Sequence, residues 1–545
     1  MRNKNDYIYN REDYRRLLVF LEERWIIRGN RKEKRILFDI TGQFLPANNF
    51  YTLIALKVFS KIGYRVELLT TTKNSLNLKL FKILNLKIFY IKNIFNSILV
   101  SIGLLFNFLK VVKLIRKPSS IYDFHINDTY VGDLIVDEYA RKTYKCTVTK
   151  IDKGLITLIF KAYYTYYYYK FLINFKKFEY IVINSNAYVQ QGMLARLASL
   201  YGIKIIYMRS LNVVRVMHNL SDVYRYEFTP NVDLFNRLQD NKNFEKKAFD
   251  FFTARVLNRK NVGWDAHNFT SSRKDLSADL TLEFREENAL KNIVLIAAPS
   301  LMDGIFGNYG KGQVYKDNYT WLVETLKICS QNENITVFLK PHPGDDVYPT
   351  KKSIDVLIEL NLTEKIKVWP KEVDMLNLSD LIQLVVTSRG SVSREFPCLG
   401  VPVLVFGEGG YTGFNTVIEP SSTKEYEDII LSAHTLARLD EAVKKRAIML
   451  YYLYQSYRYQ TSKECSLHAT DDTFKAYDEG KHLMGEHIQI SDFKSDAYDI
   501  LIQKLKYFQV NCFDDYFSDF SDFINEDEEL HFGETKMLSS FDSKS

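Results

Sequence analysis

Short apolar runs alternate with helical patterns along most of the chain. In the first half, apolar runs at 36–40 and 66–69 are separated by a helical stretch that Gly63 ends. The same order of strand, helix, glycine and strand recurs at 178–208. A strand, a crossover helix and a second strand form a right-handed unit whose two strands are parallel. The pattern therefore predicts an α/β domain with a parallel sheet.

A second series of apolar runs follows a charged helical stretch at 231–276. These runs lie at 294–297, 335–339, 384–387 and 403–406, with a helical pattern at 318–331. Because 545 residues exceed what one hydrophobic core organises, we predict two doubly wound, Rossmann-like α/β domains and a helical C-terminal extension. The expected divisions are a helical leader at 1–33, a first domain at 34–280, a second domain at 281–430, and a helical extension with an acidic tail at 431–545.

The charge of the chain is modest but uneven. The formal net charge is +7, with a basic N-terminal half and an acidic segment at 514–529. A basic half suits an anionic membrane surface or phosphorylated ligands, and the sequence carries no nucleic-acid-binding motif. Aromatic residues make up 14% of the chain, and the tyrosine-rich run at 163–171 is interpreted as a packing face of a helix. Five widely spaced cysteines without CxxC spacing predict neither a disulfide framework nor a zinc site.

One apolar stretch, at 93–117, bears on contact with a membrane. Its uncharged part, at 93–109, falls short of the roughly 20 residues that span a bilayer. We predict a buried or interfacial amphipathic helix that ends in lysines and an arginine. The expected location of the protein is the cytoplasm, with peripheral attachment to the inner face of the membrane as an extension of that prediction.

Lys340, Pro341, His342 and Pro343 follow directly on an apolar run. Each proline restricts its own φ angle and the residue before it, so His342 is expected on a stiff, extended turn. Lys340 and His342 can donate hydrogen bonds to phosphate oxygens. The ordinary structural alternative is a proline turn that ends a strand and carries an incidental histidine. The carboxyl end of a parallel strand is nevertheless where doubly wound proteins bind ligands.

A second polar loop, TSRGS, repeats this pattern one strand on. Ser388, Arg389, Gly390 and Ser391 follow an apolar run and precede a helical pattern. Small residues before a helix leave backbone N–H groups that favour phosphate, and Arg389 adds a two-pronged donor. Glu395, one turn into the helix, is placed to accept hydrogen bonds from ribose hydroxyls. The alternatives are ordinary helix capping for the serines and a solvated helix face for Glu395.

Together these segments resemble the nucleotide-binding domain of GT-B glycosyltransferases. The nearest resemblance is to bacterial surface-carbohydrate (capsule and lipopolysaccharide) biosynthesis proteins related to the Kdo and sialic acid transferases. That family's KPHP turn stands here at 340–343, and its RGT/SxxxEFPALGxPV segment at 389–403. Similar segments at 130–143 and 300–327 extend the resemblance over about 127–426. Ser393 replaces a more usual glycine. The resemblance implies a GT-B architecture with a nucleotide sugar bound by the second domain.

Carboxylates of the first half are the candidate catalytic groups. Asp133, Asp137 and Arg141 lie four residues apart, hence on one face of a predicted helix. On the functional interpretation, an aspartate deprotonates the acceptor hydroxyl or stabilises an oxocarbenium-like centre, with Arg141 on the acceptor side. The alternative is a surface salt-bridge ladder. Asp39, at the end of the first strand, competes for the catalytic role, and Asp303 follows the first strand of the second domain and is assigned to the donor side.

The predicted activity is transfer of a sugar from a nucleotide donor, CMP- or UDP-linked, to a surface polysaccharide or a lipid-linked glycan. The sequence has no DxD triad, so we expect no metal and no cofactor, with Lys340, His342 and Arg389 neutralising the leaving phosphate. Expected partners are the nucleotide sugar, the glycan acceptor, the inner-membrane surface and other polysaccharide-assembly proteins, without nucleic acid. Two alternatives stay open: a nucleotide-sugar 2-epimerase or polyol-phosphate transferase of the same fold, and a non-catalytic scaffold for glycan assembly.

Overall fold

The computed structural model describes residues 16, 19–21, 34–41, 46–70, 84, 86–91, 117–208, 214–224, 230–258, 276–302, 313–342, 345 and 350–459. Of the predicted amphipathic stretch, only Lys117 is among them; the acidic tail, Gly42, Asp303 and most of the leader lie outside them. The described residues form two compact units. The first takes in those of Met1–Ile135 and Ile151–Val223, and the second those of Val136–Lys150 and Tyr224–Tyr459.

The first unit contains a six-stranded sheet and a two-stranded hairpin. Its strands are β1 (Arg35–Asp39), β2 (Arg65–Thr70), β3 (Lys87–Tyr90), β4 (His125–Ile126), β5 (Thr129–Tyr130), β6 (Tyr180–Ile183), β7 (Lys204–Met208) and β8 (Val214–Met217). The sheet order is β3-β2-β1-β6-β7-β8, and only β8 runs antiparallel to its neighbour. The strands therefore wind outward in both directions from the β1/β6 pair, which is the doubly wound arrangement expected for this half.

Helices cover this sheet and carry part of the candidate site. They are α1 (Pro46–Ile62), α2 (Gly132–Thr143), α3 (Lys153–Lys176), α4 (Met193–Leu200) and α5 (Leu220–Tyr224). Gly63 (φ 112°) and Gly202 (φ 69°) adopt the left-handed conformation that ends α1 and α4, as predicted from the chain pattern. Asp152 caps α3 by accepting a hydrogen bond from the Leu155 N–H at 3.0 Å.

The tyrosine-rich run lies within α3. Tyr163, Tyr166, Tyr168 and Tyr169 are buried, together with the aliphatic residues of the same helix face. The rings contact other aromatic rings: Tyr163 packs edge-on against Phe124 at a centroid distance of 6.1 Å, and Tyr168 stacks on Tyr164 at 6.5 Å. The interpretation of this run as a packing surface is therefore confirmed.

The second unit contains a five-stranded parallel sheet. Its helices and strands, in chain order, are α6 (Val232–Leu238), α7 (Lys242–Phe252), α8 (Ala278–Asn288), β9 (Ile293–Ala297), α9 (Asn318–Cys329), β10 (Thr336–Lys340), α10 (Ser353–Glu359), β11 (Ile366–Val368), β12 (Ile382–Thr387), α11 (Val392–Cys398), β13 (Val403–Val405), α12 (Thr423–Leu431) and α13 (Glu441–Tyr459). The sheet order is β11-β10-β9-β12-β13. It too winds outward in both directions, from the β9/β12 pair, so the predicted fold class of two doubly wound α/β domains is confirmed.

The second unit also takes in segments from the first half of the chain, while the expected domain divisions stay a prediction. Residues 136–150 and the described part of 224–280 group with the second unit, where α7 packs against α13. Phe244 of α7 contacts Tyr452 of α13, with ring centroids 5.3 Å apart. The described part of the predicted C-terminal extension is therefore an integral layer of the second unit. No described helix combines the length and the apolar character that a bilayer crossing requires.

Candidate active site

Three strand ends align at the carboxyl edge of the second sheet. Lys340 on β10 and Thr387 on β12 both pair with Ala297 on the central strand β9. The Thr387 hydroxyl donates to the Ala297 carbonyl at 2.9 Å, and the Ala298 N–H donates to the Lys340 carbonyl at 3.0 Å. Neighbouring strands lie about 4.8 Å apart, so the two polar loops begin roughly 10 Å from each other. The loops leave the same edge, as predicted, but they flank β9 rather than following adjacent strands.

The first of these loops contains the KPHP turn. Lys340 is half-buried, and burial lowers the pKa of its ammonium group, an effect that the Glu372 carboxylate partly offsets. His342 is exposed, and its carbonyl accepts a hydrogen bond from the Asp345 N–H at 2.9 Å. Asp345 is buried and accepts a hydrogen bond from the Ser353 hydroxyl at 3.0 Å, which ties the loop to α10. Lys340 and His342 thus lie at the strand end, close in the chain to Asp345, which is fixed to α10.

The second loop leads into a short helix. α11 begins at Val392, directly after Ser391, as the sequence predicts. The Ser393 hydroxyl donates to the Gly390 carbonyl at 2.7 Å and thereby closes the loop on itself. Ser388 is buried, and its carbonyl accepts a hydrogen bond from the Tyr411 hydroxyl at 3.2 Å. These contacts hold the TSRGS segment rigidly at the sheet edge.

Arg389 is buried in the same loop and braces it. Its Nε donates to the Glu408 carbonyl at 3.1 Å, its Nη2 donates to the Gln313 side-chain oxygen, and its guanidinium lies 5.3 Å from the Phe406 ring centroid. A Cβ on Gly407 would come within 2.9 Å of Nη2, which explains the glycine there. Gln313 is a candidate that sequence reasoning missed: its oxygen is held by Arg389, while its buried Nε2 has no hydrogen-bond partner in the part of the chain that the structure describes.

Glu395 lies on the inward face of α11 rather than on a solvated one. It is buried and accepts a hydrogen bond from the Tyr451 hydroxyl at 3.4 Å. Tyr451 in turn accepts a hydrogen bond from Arg255 Nε at 2.6 Å, and Arg255 is also buried. The alternative of a solvated helix face for Glu395 is therefore wrong, while its assignment to ribose stays a prediction.

The predicted carboxylate helix of the GDLIVDEYAR segment forms as α2. Gly132 opens it at a point of close backbone approach, because a Cβ there would lie 2.3 Å from the Ile121 carbonyl oxygen. Both carboxylate oxygens of Asp133 accept hydrogen bonds from Arg196 of α4, one of them at 2.6 Å from Nη1. Arg196 is 4% exposed and also donates to the Tyr130 carbonyl at 2.7 Å.

Asp133 therefore forms a largely buried, two-point ion pair that fixes α2 to α4 within the first unit. Its ion-pair partner Arg196 lies on another helix, so the surface ladder considered as the alternative does not describe it. Asp137 is buried and Arg141 is half-buried. Both belong to the part of α2 that groups with the second unit. Their assignments as catalytic and acceptor-side residues stay predictions.

Asp39 occupies the equivalent switch point of the first sheet. It ends β1, which lies between β2 and β6, and it is 2% exposed. Its Oδ1 accepts a hydrogen bond from the Thr41 N–H at 2.9 Å, whereas Oδ2 has no hydrogen-bond partner among the residues that the structure describes. Burial raises the pKa of Asp39 to about 6, with interactions to Thr41 offsetting part of the rise.

Within the described ranges, two further polar groups near this strand end lack hydrogen-bond partners. The Tyr169 hydroxyl is buried without a hydrogen bond, and burial followed by the nearby charge of Asp39 raises its pKa. On the β6 side, the Asn186 side-chain nitrogen donates to the Val223 carbonyl at 2.7 Å, but its oxygen has no partner. Buried polar atoms are nearly always paired, so this group is suited to receive a polar ligand. Sequence reasoning found Asp39 but missed Tyr169 and Asn186, for which the chain carries no motif.

No family model and no curated protein matches the sequence. Solved structures with similarity to this chain include a β-Kdo 2,4-transferase, KpsC of Thermosulfurimonas dismutans, at 11% identity and a TM-score of 0.29, covering 50% of this chain and 79% of that one. Another is the UDP-GlcNAc 2-epimerase of Neisseria meningitidis, at 9% identity and a TM-score of 0.20, covering 86% of this chain and 98% of that one. A third is sucrose-phosphate synthase of Thermosynechococcus elongatus, at 12% identity and a TM-score of 0.26, covering 78% of this chain and 95% of that one. The first is of the class that the motifs resemble.

Proposed function

We propose that the protein is a metal-independent glycosyltransferase that transfers a sugar from a nucleotide donor to a surface-glycan acceptor. The donor binds at the carboxyl edge of the second sheet, and Asp39 of the first sheet is the candidate general base. In the reaction, the bond from the anomeric carbon to the leaving phosphate breaks and a bond to the acceptor oxygen forms. The acceptor proton passes to the general base, and the nucleotide leaves as its phosphate anion.

The main support for the donor site is the alignment of three strand ends, in which Lys340 and Thr387 both pair with Ala297 at the carboxyl edge of the sheet. It supports a site at the switch point of the sheet, where doubly wound proteins bind ligands. Lys340 and His342 supply cationic donors on one side of β9, and the buried Gln313 amide, held by Arg389, supplies an N–H donor. This small number of donors suits the single phosphate of a CMP-linked ulosonic acid better than a chain of phosphates.

The acceptor side rests on Asp39. A general base works best when its pKa lies near the working pH, and burial brings that of Asp39 to about 6. Asp133 is a weaker candidate because Arg196 occupies both of its oxygens. Tyr169 and Asn186 offer polar groups for sugar hydroxyls beside the same strand end.

The test combines ligand binding with turnover on the full chain. Thermal shifts with CMP-, UDP-, GDP- and CDP-linked compounds should show stabilisation by CMP compounds, because ligands that bind only the folded state raise its stability. Lys340→Ala and His342→Ala should each weaken this binding about tenfold or more, the usual cost of losing a charged hydrogen bond. Lys367→Ala, an exposed lysine on β11, is the matched control.

Turnover separates the remaining alternatives. Release of CMP that depends on an added glycan acceptor supports transfer, whereas isomerisation of the nucleotide sugar without acceptor would indicate an epimerase. A protein that binds glycan but neither binds nor turns over any nucleotide sugar would contradict the proposal and favour a scaffold.

A further inference from the structure

The amino edge of the first sheet carries a concentration of positive charge. β1, β2 and β3 begin with Arg35, Arg65 and Lys87, and Arg35 pairs directly with Arg65 across the strands. Lys34 precedes β1, and α3 ends beside this edge with Lys176. Burial and the neighbouring cations Lys87 and Arg35 lower the pKa of Lys176, which places these groups close together.

Two carboxylates offset this charge only in part. Glu67 is fully buried and is held by Arg35, at 2.6 and 2.7 Å, and by Arg65 at 3.3 Å. Glu179 pairs with Lys34 at 3.0 Å. Among the described residues, six cations therefore face two carboxylates along this edge: Lys34, Arg35, Arg65, Lys87, Lys176 and Lys177 against Glu67 and Glu179. The edge remains clearly positive.

Large apolar side chains are exposed next to these cations. Phe171 and Phe175, on the last turns of α3, are 51% and 64% exposed and stack with centroids 5.7 Å apart. Leu200 and Tyr201, at the end of α4, are 44% and 40% exposed. Tyr201 adjoins this surface through its hydrogen bond with Lys170. Lys176 Nζ lies 4.2 Å from the Phe175 ring centroid.

We propose that this amino edge docks the protein onto an anionic phospholipid bilayer. Aromatic rings and aliphatic tips enter the boundary between headgroups and acyl chains, while lysine stems extend along the surface to anionic headgroups. A second copy of the chain would bring two positive surfaces together. A polyanion in water would leave both phenyl rings exposed. The combination of charge and bare apolar rings therefore fits a lipid surface.

The docking edge is separate from the candidate acceptor site. β1 runs from Arg35 to Asp39, so the two ends of the strand lie roughly 15 Å apart on opposite edges of the sheet. A bilayer on the amino edge leaves the carboxyl edge with Asp39 uncovered. The inference is independent of the proposed glycosyl transfer, since vesicle binding needs neither nucleotide nor acceptor.

The test is flotation of the full chain with vesicles of phosphatidylcholine alone or mixed with phosphatidylglycerol. Binding should require the anionic lipid and weaken with salt. Lys176→Glu with Lys177→Glu should lower the affinity at least about thirtyfold, since each lysine near the surface contributes about 1 kcal/mol. Phe171→Ser with Phe175→Ser should lower it at least about tenfold. Circular dichroism checks that each variant is folded.

The second unit provides matched controls. Leu282→Ser with Leu290→Ser removes two exposed leucines, at 58% and 101% exposure, and should leave vesicle binding unchanged. Lys365→Glu with Lys367→Glu reverses two exposed lysines and should have at most a small effect. The proposal would be overturned if these controls lost as much vesicle binding as the variants of the amino edge, or if the protein bound vesicles of neutral lipid alone. It would also be overturned if the protein formed a dimer that Phe171→Ser with Phe175→Ser abolished. Binding to a soluble acidic polysaccharide in place of vesicles would overturn it as well.

Discussion

Replacing Asp39 by asparagine should make the protein more stable near neutral pH and remove its activity. In the folded chain the carboxyl group is 2% exposed, and burial raises its pKa from 3.8 to about 6. At a pH between these two pKa values, the folded state therefore keeps a proton on Asp39 that the unfolded chain has already lost. The contribution of the protonated Asp39 to the free energy of unfolding is fully present below the unfolded pKa and is lost as the pH rises through about 6.

The magnitude follows from the size of the pKa shift. A difference of roughly two units corresponds to about 3 kcal/mol of unfolding free energy at pH 7 and above, and about half of it develops between pH 5 and pH 8. The substituted amide cannot ionise, and its side-chain oxygen can still accept the hydrogen bond of the Thr41 N–H. The stability of Asp39→Asn relative to the parent should therefore rise with pH across this window.

The assay is urea unfolding of both proteins at pH 5, 6, 7 and 8, with turnover measured alongside. Loss of a general base lowers kcat about 100-fold or more, and the parent's rate should fall as the pH drops through about 6. Asp133→Asn is the matched control: it leaves Arg196 buried without its ion pair and should destabilise by about 3 kcal/mol. An Asp39→Asn protein that is less stable at every pH would refute the desolvation argument; full activity would refute the base assignment.

Three further outcomes test the geometry of the site. Gly132→Ala should destabilise the protein by at least about 2 kcal/mol because the added Cβ meets the Ile121 carbonyl oxygen at 2.3 Å. Gly202→Ala places its Cβ in open space, so it should cost only about 1 kcal/mol, for the left-handed backbone conformation. Thermal denaturation of both variants measures the difference. Because burial lowers the pKa of Lys340, CMP affinity measured by calorimetry should fall as the pH rises through that lowered pKa, and Lys340→Arg should abolish that fall. Gln313→Ala should weaken nucleotide binding about fivefold or more and leave Arg389 short of one acceptor; unchanged affinity would remove Gln313 from the donor site.

The strands that sequence patterns located are those with continuous apolar runs. β1, β9, β10 and β12 each bury at least three consecutive residues, which gives a clear signal. β3 and β11 were missed because they are short strands with exposed or half-buried residues. β8 was missed because Arg215 interrupts its apolar run, and only the fold provides Asp222 as the partner that allows this arginine to be buried. Missing β11 also concealed that β9 separates the two polar loops.

Candidate site residues can be predicted from the sequence where they follow one another in a single loop. The KPHP turn and the TSRGS loop are contiguous in the chain, and a parallel strand before each places both at one sheet edge. Long-range partners were not predictable. Arg196 lies 63 residues beyond Asp133, and Gln313 lies 76 residues before Arg389, and no spacing rule links such pairs.

Asp39 and Asp133 show why environment, rather than residue type, decides which carboxylate can act as a base. Arg196 donates to both oxygens of Asp133, so neither oxygen is left to receive a proton from a bound hydroxyl. Asp39 has one backbone donor and an oxygen without a hydrogen-bond partner among the described residues, in a buried position that favours the protonated form. Proton uptake from a bound hydroxyl therefore relieves an unfavourable charge at Asp39, whereas both oxygens of Asp133 are already held by a buried arginine. The first sheet thus separates a carboxylate that holds helices together from one that is suited to accept a proton.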